Sequence, residues 1–302
     1  MNLLSFVVLL CIFGWGMGAG LEQVDDSDLV HLLTGDDNVI VLFTQTRCED
    51  CNKWELLVEN IYNELTQSLG AIVVKAHNSQ LVGIYDPSKE PSLVFFRRGI
   101  PLLYHGDLVE DDVVRLFSDN REPVVKELAD ENFEHLTQAA TGATTGDWFV
   151  FFYSADCIFC QRLYAVWETV GAVLRHRLNV ARVNRLEAGI STAKRFGITT
   201  SPEFIFLRQG KLYRYKLKEY TPKSFIEFAQ SGFAKQSHPE PVPAEISYMS
   251  DMLSNPLELL TENKNAVIIV SASVGLLVLI VLIKKCFTTK PKSPSPKSKK
   301  AK

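Results

Sequence analysis

At 302 residues the chain has room for two domains of ordinary size, and 46% hydrophobic with 22% charged residues supplies ample material for packed cores. The net charge of −3 hides an asymmetry: residues 284–302 carry eight lysines and no acid, while residues 21–283 hold 24 basic against 35 acidic side chains. A body this acidic argues against nucleic-acid binding, which needs Lys and Arg to neutralise phosphates.

Residues 3–13 form an apolar run followed by small residues up to Gly20, the pattern of a secretory signal peptide over residues 1–20. An uncleaved signal anchor is the alternative; either way the following chain enters the lumen. The continuous apolar run 38–44 predicts a buried strand. Cys48-Glu49-Asp50-Cys51 follows at once, then a helical stripe at Trp54, Leu57, Val58, Ile61 and Leu65. Strands are expected at 71–76 and at 93–96, the latter led in by Glu90-Pro91 and closed by Gly99, with an amphipathic stretch beginning near Glu110.

The same order then recurs. A strand over 148–153 is followed by Cys157-Ile158-Phe159-Cys160 and by a stripe at Leu163, Val166, Trp167, Val170 and Leu174. Strands at 178–183 and 204–207 come next, the second led in by Ser201-Pro202 and closed by Gly210. From first cysteine to proline is 43 residues in one copy and 45 in the other; from proline to glycine is 8 in both. Strands alternating with helices imply a sheet covered by helices on both faces. The repeat implies a duplicated domain.

Residues 237–243, rich in proline, read as a stiff spacer within a linker over 233–265. Residues 246–260 suit a short amphipathic helix at a membrane surface, or a flexible linker. The uncharged run 266–283 reaches roughly 27 Å as a helix, enough for a thin bilayer. It ends in Lys284-Lys285, so positive-inside bias places the 284–302 tail in the cytosol and predicts a single-pass type I membrane protein. A buried core helix is the alternative.

Strand, CxxC, helix, and a proline before a strand some 45 residues on together resemble the thioredoxin fold. Glu127-Leu128-Ala129-Asp130-Glu131-Asn132-Phe133 and Ala193-Lys194-Arg195-Phe196-Gly197-Ile198 resemble segments of the protein disulfide isomerases. With the leader, the single span and the end Lys299-Lys300-Ala301-Lys302, which is similar to the dilysine retrieval signal of resident endoplasmic-reticulum membrane proteins, the chain resembles the transmembrane thioredoxin-related branch of that family. The resemblance covers residues 22–232. It implies an α/β fold of two tandem thioredoxin-like domains, at 21–125 and 126–232, plus one C-terminal transmembrane helix. It implies that Pro91 and Pro202, each following a cis bond, face the CxxC and help bind extended substrate. It implies client polypeptides with thiols or disulfides as partners, and coat machinery reading Lys299 and Lys300. No cofactor and no metal is implied.

A cysteine at a helix N-terminus meets the positive end of the macrodipole, which favours thiolate. A second cysteine one turn on can resolve the mixed disulfide. Cys48 and Cys157 are therefore the expected nucleophiles, and Cys51 and Cys160 the resolving residues. Glu49 and Asp50 oppose a thiolate and Arg47 favours one. Ile158 and Phe159 offer apolar contact to unfolded chains. Cys11 and Cys286 stand apart, in the leader and at the cytosolic membrane edge. A four-cysteine zinc site is disfavoured because 105 residues separate the pairs. Two departures from the family stand out. Arg47 and Asp156 replace the tryptophan before the first cysteine, and Leu42 and Phe151 replace the buried acid six residues before it, which in the family assists proton transfer. The expected function is a membrane-anchored thiol–disulfide oxidoreductase or isomerase of the endoplasmic reticulum. The alternative is a non-catalytic client-binding chaperone or redox-regulated adaptor in the same membrane.

Overall fold

A computed structural model describes residues 20–85, 91–142 and 145–245, with Ile268, 271–272, 275–276, 279–280 and 282–284 further on. The leader, residues 246–260, most of the expected span, Cys286 and the lysine tail with Lys299 and Lys300 lie outside the described residues. Residues 1–245 and 246–302 form separate units. Among the described residues no helix is long and apolar enough to cross a membrane.

In the larger unit the first half runs β1 (Glu22–Val24), α1 (Asp26–Thr34), β2 (Asn38–Thr44), α2 (Cys51–Leu69), β3 (Ala71–His77), α3 (Val82–Tyr85), β4 (Ser92–Arg97), β5 (Ile100–Leu103) and α4 (Glu110–Asp119). The second runs β6 (Lys126–Leu128), α5 (Phe133–Thr137), β7 (Trp148–Tyr153), α6 (Ile158–Leu174), β8 (Asn179–Asn184), α7 (Ile190–Arg195), β9 (Glu203–Arg208), β10 (Lys211–Arg214) and α8 (Pro222–Glu227). After a π turn over 228–232 come α9 (Phe233–Gln236) and β11 (Glu240–Pro241). The sheets have the orders β1-β3-β2-β4-β5 and β11-β10-β9-β7-β8-β6, so five strands of each correspond one for one. β2–β3 and β7–β8 are parallel, while β2–β4 and β7–β9 are antiparallel. This is a mixed α/β, thioredoxin-like arrangement with two sheets.

The apolar runs at β2 and β7 are buried almost throughout, as strands at the centre of a covered sheet must be. Helix α2 is amphipathic: Leu57, Val58, Ile61 and Leu65 are buried, and its other face is mostly polar, with Leu56 and Tyr62 exposed among the polar residues. It stops at Gly70, whose left-handed φ of 60° a side chain would strain.

Helix α6 departs from that pattern because it is buried nearly all round. Its predicted stripe is covered, and so are Ala165, Glu168, Thr169, Gly171 and Ala172 on the opposite side. That second side lies along β5, the edge strand of the first sheet, where Thr169 Oγ1 donates to Leu103 O at 2.7 Å. A covered edge cannot recruit another chain. Beneath it Arg97, fully buried in β4, donates from one terminal nitrogen to Glu168 Oε2 at 2.9 Å and from the other to Asn120 O and Glu122 O. Val124 N–H donates to the same Glu168 oxygen. One apolar cluster consequently holds Val39, Val41, Phe43, Val94 and Leu103 of the first half with Leu163, Val166, Trp167, Phe149 and Phe204 of the second.

The expected spacer begins later than its proline content suggests. Residues 233–243 are folded onto the second half: β11 pairs with β10 at Lys211 and Leu212, Arg195 donates to Pro243 O, and Ser237 Oγ accepts from Arg214 N–H. Proline is tolerated there because β11 is an edge strand.

Candidate functional site

The loop 45–50 after β2 carries Cys48, which forms a disulfide with Cys51 across a Cα separation of 5.4 Å. Cys157 and Cys160 are joined in the same way at 5.2 Å. In each couple the first cysteine is partly exposed and the second buried, at 6% exposure for Cys51 and 0% for Cys160. An outer sulfur open to another chain with an inner one waiting beneath it is the geometry that exchange requires.

The two couples meet their helices differently. Cys157 is the N-cap of α6, and its Sγ accepts from Cys160 N–H at 3.0 Å, satisfying one of the free donors of the first turn. In the first half the helix begins only at Cys51, so Cys48 sits in the preceding turn and Asp50 occupies the cap position without a side-chain capping bond. The helix-terminus argument therefore holds directly for Cys157, whereas Cys48 stands off the helix end. Arg47, just before it, takes a left-handed φ of 66°. Asp50 is paired with Lys53 at 2.7 Å, which offsets one of the two acids expected to oppose a Cys48 thiolate.

Strand register places both prolines at the cysteine end of their sheets. Ser92 pairs with Phe43, so buried Pro91 lies beside the end of β2, whose last residue Thr44 is four before Cys48. Glu203 pairs with Phe152, so Pro202 stands beside Tyr153, four before Cys157. The Ser201–Pro202 bond is cis, as the resemblance implies; Glu90, preceding Pro91, lies outside the described residues.

Around Cys48 and Cys51 opens a cleft of about 410 Å³, lined also by Arg47, Glu55, Lys75 and His77. Three of these escape sequence reasoning. Lys75 interrupts the apolar run of β3 and is paired across the sheet with Leu42, the position where a buried acid was expected and is missing. Its partner comes from elsewhere, from Glu55 on α2, and the two side chains form a largely buried ion pair. His77 Nδ1 shares a hydrogen bond with Thr44 Oγ1 at 3.1 Å, and the histidine lines the cleft beside the cysteines. A lysine inside an otherwise apolar strand was the readable signal.

The second half repeats the register with different groups. Arg182 of β8 pairs with Phe151 and, across β6, with Glu127, forming an ion pair with it. Tyr153 donates to Glu127 at 2.7 Å, and the Arg182 guanidinium lies 4.9 Å from the Tyr164 ring centre. Burial first, and then the bond to Glu127, push the Tyr153 phenol up from its ordinary value; burial pushes Tyr164 up as well. A raised phenol pKa means folding favours the neutral form. This contribution is complete below the unfolded value of about 10 and is lost as pH rises through the folded value. The urea midpoint of the protein is thus expected to fall more steeply above about pH 10 than that of a Tyr153→Phe variant, followed by circular dichroism. Equal slopes would refute the assignment.

Ile158 and Phe159, between the second pair of cysteines, are 69% and 41% exposed, with Phe159 edge-on to Tyr220.

Residues 124–231 match the family model described as Thioredoxin. A thioredoxin domain-containing protein of Theileria parva is 40% identical over 120 residues, which are 40% of this chain and 54% of the relative. Human protein disulfide-isomerase A4 is 23% identical over 209 residues, 65% of this chain and 32% of that protein. Protein disulfide-isomerase TMX3 of Xenopus laevis is 32% identical over 84 residues, 27% of this chain and 18% of the relative. The chain spans about half or less of the length of these relatives.

Proposed function

We propose that this chain is a thiol–disulfide oxidoreductase or isomerase that acts on client disulfides through two CxxC sites, Cys48/Cys51 and Cys157/Cys160. The observation that carries the reading is the paired arrangement of an accessible outer sulfur over a buried inner one, repeated at the same end of two corresponding sheets. The match of residues 124–231 to the thioredoxin model and the likeness to protein disulfide-isomerases support it. Cys48 and Cys157 attack; Cys51 and Cys160 resolve. Pro91 and Pro202 flank the extended client chain.

The same reading places the protein in the endoplasmic-reticulum membrane, anchored once through residues 266–283, with Lys299 and Lys300 offered to coat machinery in the cytosol. In its support, the described residues of that run are helical and expose Ile268, Leu276, Leu279 and Leu282. Release of the protein from membranes by alkaline carbonate would refute the anchor.

Reduction of insulin by the full-length protein with a small dithiol tests the activity. Turnover well above that of the dithiol alone is expected. It should be abolished by joint Cys48→Ser and Cys157→Ser substitution and retained in part by either alone. A rate no better than free dithiol would favour the second reading, a tethered chaperone that holds clients. That reading has one observation of its own: the apolar side chains of Ile158 and Phe159 stand open to solvent between the cysteines.

A further inference from the structure

A resolving cysteine must ionise before it can attack, and burial among apolar groups opposes that ionisation. Cys51 is only 6% exposed, so the source of its base is a definite question. Glu55 is four residues further along α2, which puts the two side chains on one face of the helix about 5–6 Å apart at Cβ. Both line the cleft, and Lys75 holds the carboxylate in place from β3. The other ionisable groups facing it are Lys75 and His77 from β3, Arg47 and Cys48 from the loop, and Cys51 from its own helix, with Glu49 and the Asp50–Lys53 pair in the turn at the head of α2. Of the bases present, His77 is engaged by Thr44, and Glu55 alone shares the helix face of Cys51.

On the reading that Cys48/Cys51 is a working couple, we propose that Glu55 is the proton acceptor for the Cys51 thiol and that the second site has no counterpart. While Cys48 is joined to a client sulfur, the Cys51 thiol passes its proton to the Glu55 carboxylate. The Cys51 thiolate then attacks Cys48 Sγ. The Cys48–Cys51 bond forms as the Cys48–client bond breaks, and the electron pair leaves on the client sulfur, which takes up the proton. Over the whole reaction a client disulfide gains two electrons and two protons, and the Cys48/Cys51 dithiol loses them.

At the second site the position four residues after the resolving cysteine is Tyr164, a phenol that burial makes harder to ionise. None of the carboxylates near that couple sits one turn after Cys160 on α6: Asp156 precedes Cys157, Glu203 opens β9 after Pro202, and Glu127 comes from edge strand β6, where Arg182 and Tyr153 hold it. The two sites therefore differ in kind. The first resolves its mixed disulfides quickly, and the second retains them, next to the exposed Ile158 and Phe159.

The experiment uses full-length protein carrying Cys157→Ser and Cys160→Ser, so that only the first site reports. The reduced protein is mixed with a fluorescent peptide disulfide and quenched in acid at intervals across a pH series. Glu55→Gln is expected to lengthen the life of the Cys48–peptide mixed disulfide by about tenfold or more near pH 7, as loss of a general base does. The gap should narrow as pH approaches the thiol's own ionisation, the rate of initial attack should change less than about twofold, and Glu55→Asp should restore part of the loss. If the orphaned lysine unfolds that variant, Glu55→Gln with Lys75→Met gives the same readout. In the converse background, with Cys48→Ser and Cys51→Ser, Tyr164→Phe should leave the lifetime unchanged. An unchanged lifetime in Glu55→Gln, a loss independent of pH, or a loss produced by His77→Gln in its place would overturn the assignment while leaving the oxidoreductase reading intact. Failure of the parent protein to react with the peptide would instead sink that reading.

Discussion

Replacing Glu168 with alanine is expected to lower the stability of the larger unit by about 3–5 kcal/mol, since it strands a buried guanidinium. Arg97 is fully enclosed and Glu168 is 3% exposed. Burial pushes the Arg97 guanidinium down from its ordinary pKa, and the Glu168 carboxylate, with a smaller pull from Glu122, draws it back. The two main-chain carbonyls that Arg97 also meets satisfy hydrogen bonds but not charge. Urea denaturation followed by fluorescence and by circular dichroism should show a reduced midpoint with the two signals still coincident, because the pair ties β4 of one half to α6 of the other. A variant that removes both partners, Arg97→Met with Glu168→Leu, should recover most of the loss, as isosteric apolar replacement of a buried pair often does. A loss below about 1 kcal/mol in the single variant would show that water reaches the pair.

The second large effect is expected at Trp167. Its indole lies within 6 Å of Phe149, Phe151, Phe204 and Phe225, and its N–H donates to Ala181 O at 3.0 Å in the buried core. Trp167→Ala removes both, so the cost is about 3–5 kcal/mol from cavity and transfer terms together. Denaturant unfolding measures it directly, and thermal unfolding should shift by on the order of 10 °C for a unit of this size. Helix α6 also lines the first half, so the first half should lose stability alongside the second. Two resolved transitions, with only one of them shifted, would contradict the coupling of the halves through their shared apolar cluster.

The central strands were legible in the sequence, at 38–44 and 148–153 to the residue, because a sheet interior demands an uninterrupted apolar run that a surface does not. The stripes of α2 and α6 were legible from helical spacing, and the strand-leading prolines from their place just before an apolar run. What stayed hidden lay between elements. Glu168 and Thr169 fall outside the apolar stripe of α6, and only the packing shows that side pressed on β5. The small residues Ala165, Gly171 and Ala172 mark a face built for close approach, whereas α2 carries the larger Leu56, Tyr62 and Asn63 at the corresponding positions. Likewise the missing acid at Leu42 was visible, but its replacement was not. Glu55 and Lys75 stand 20 residues apart on different elements, and only the register of β3 against β2 brings the lysine under the cysteines. The tail of the second half was missed because Pro-rich 237–243 looks like a spacer, and nothing local says that its backbone will close a sheet edge.

The lodging of α6 against both sheets has a consequence for ancestry. If the two halves arose by copying one module, severing the chain near residue 124 would yield an upstream piece whose β5 lies bare and a downstream piece whose helix shows Glu168 and Thr169 to nothing. Neither half could be shed without refurbishing the other. Any descendant that keeps only the first module must evolve a new lid for β5, and a search for such single-module kin would show what that lid looks like.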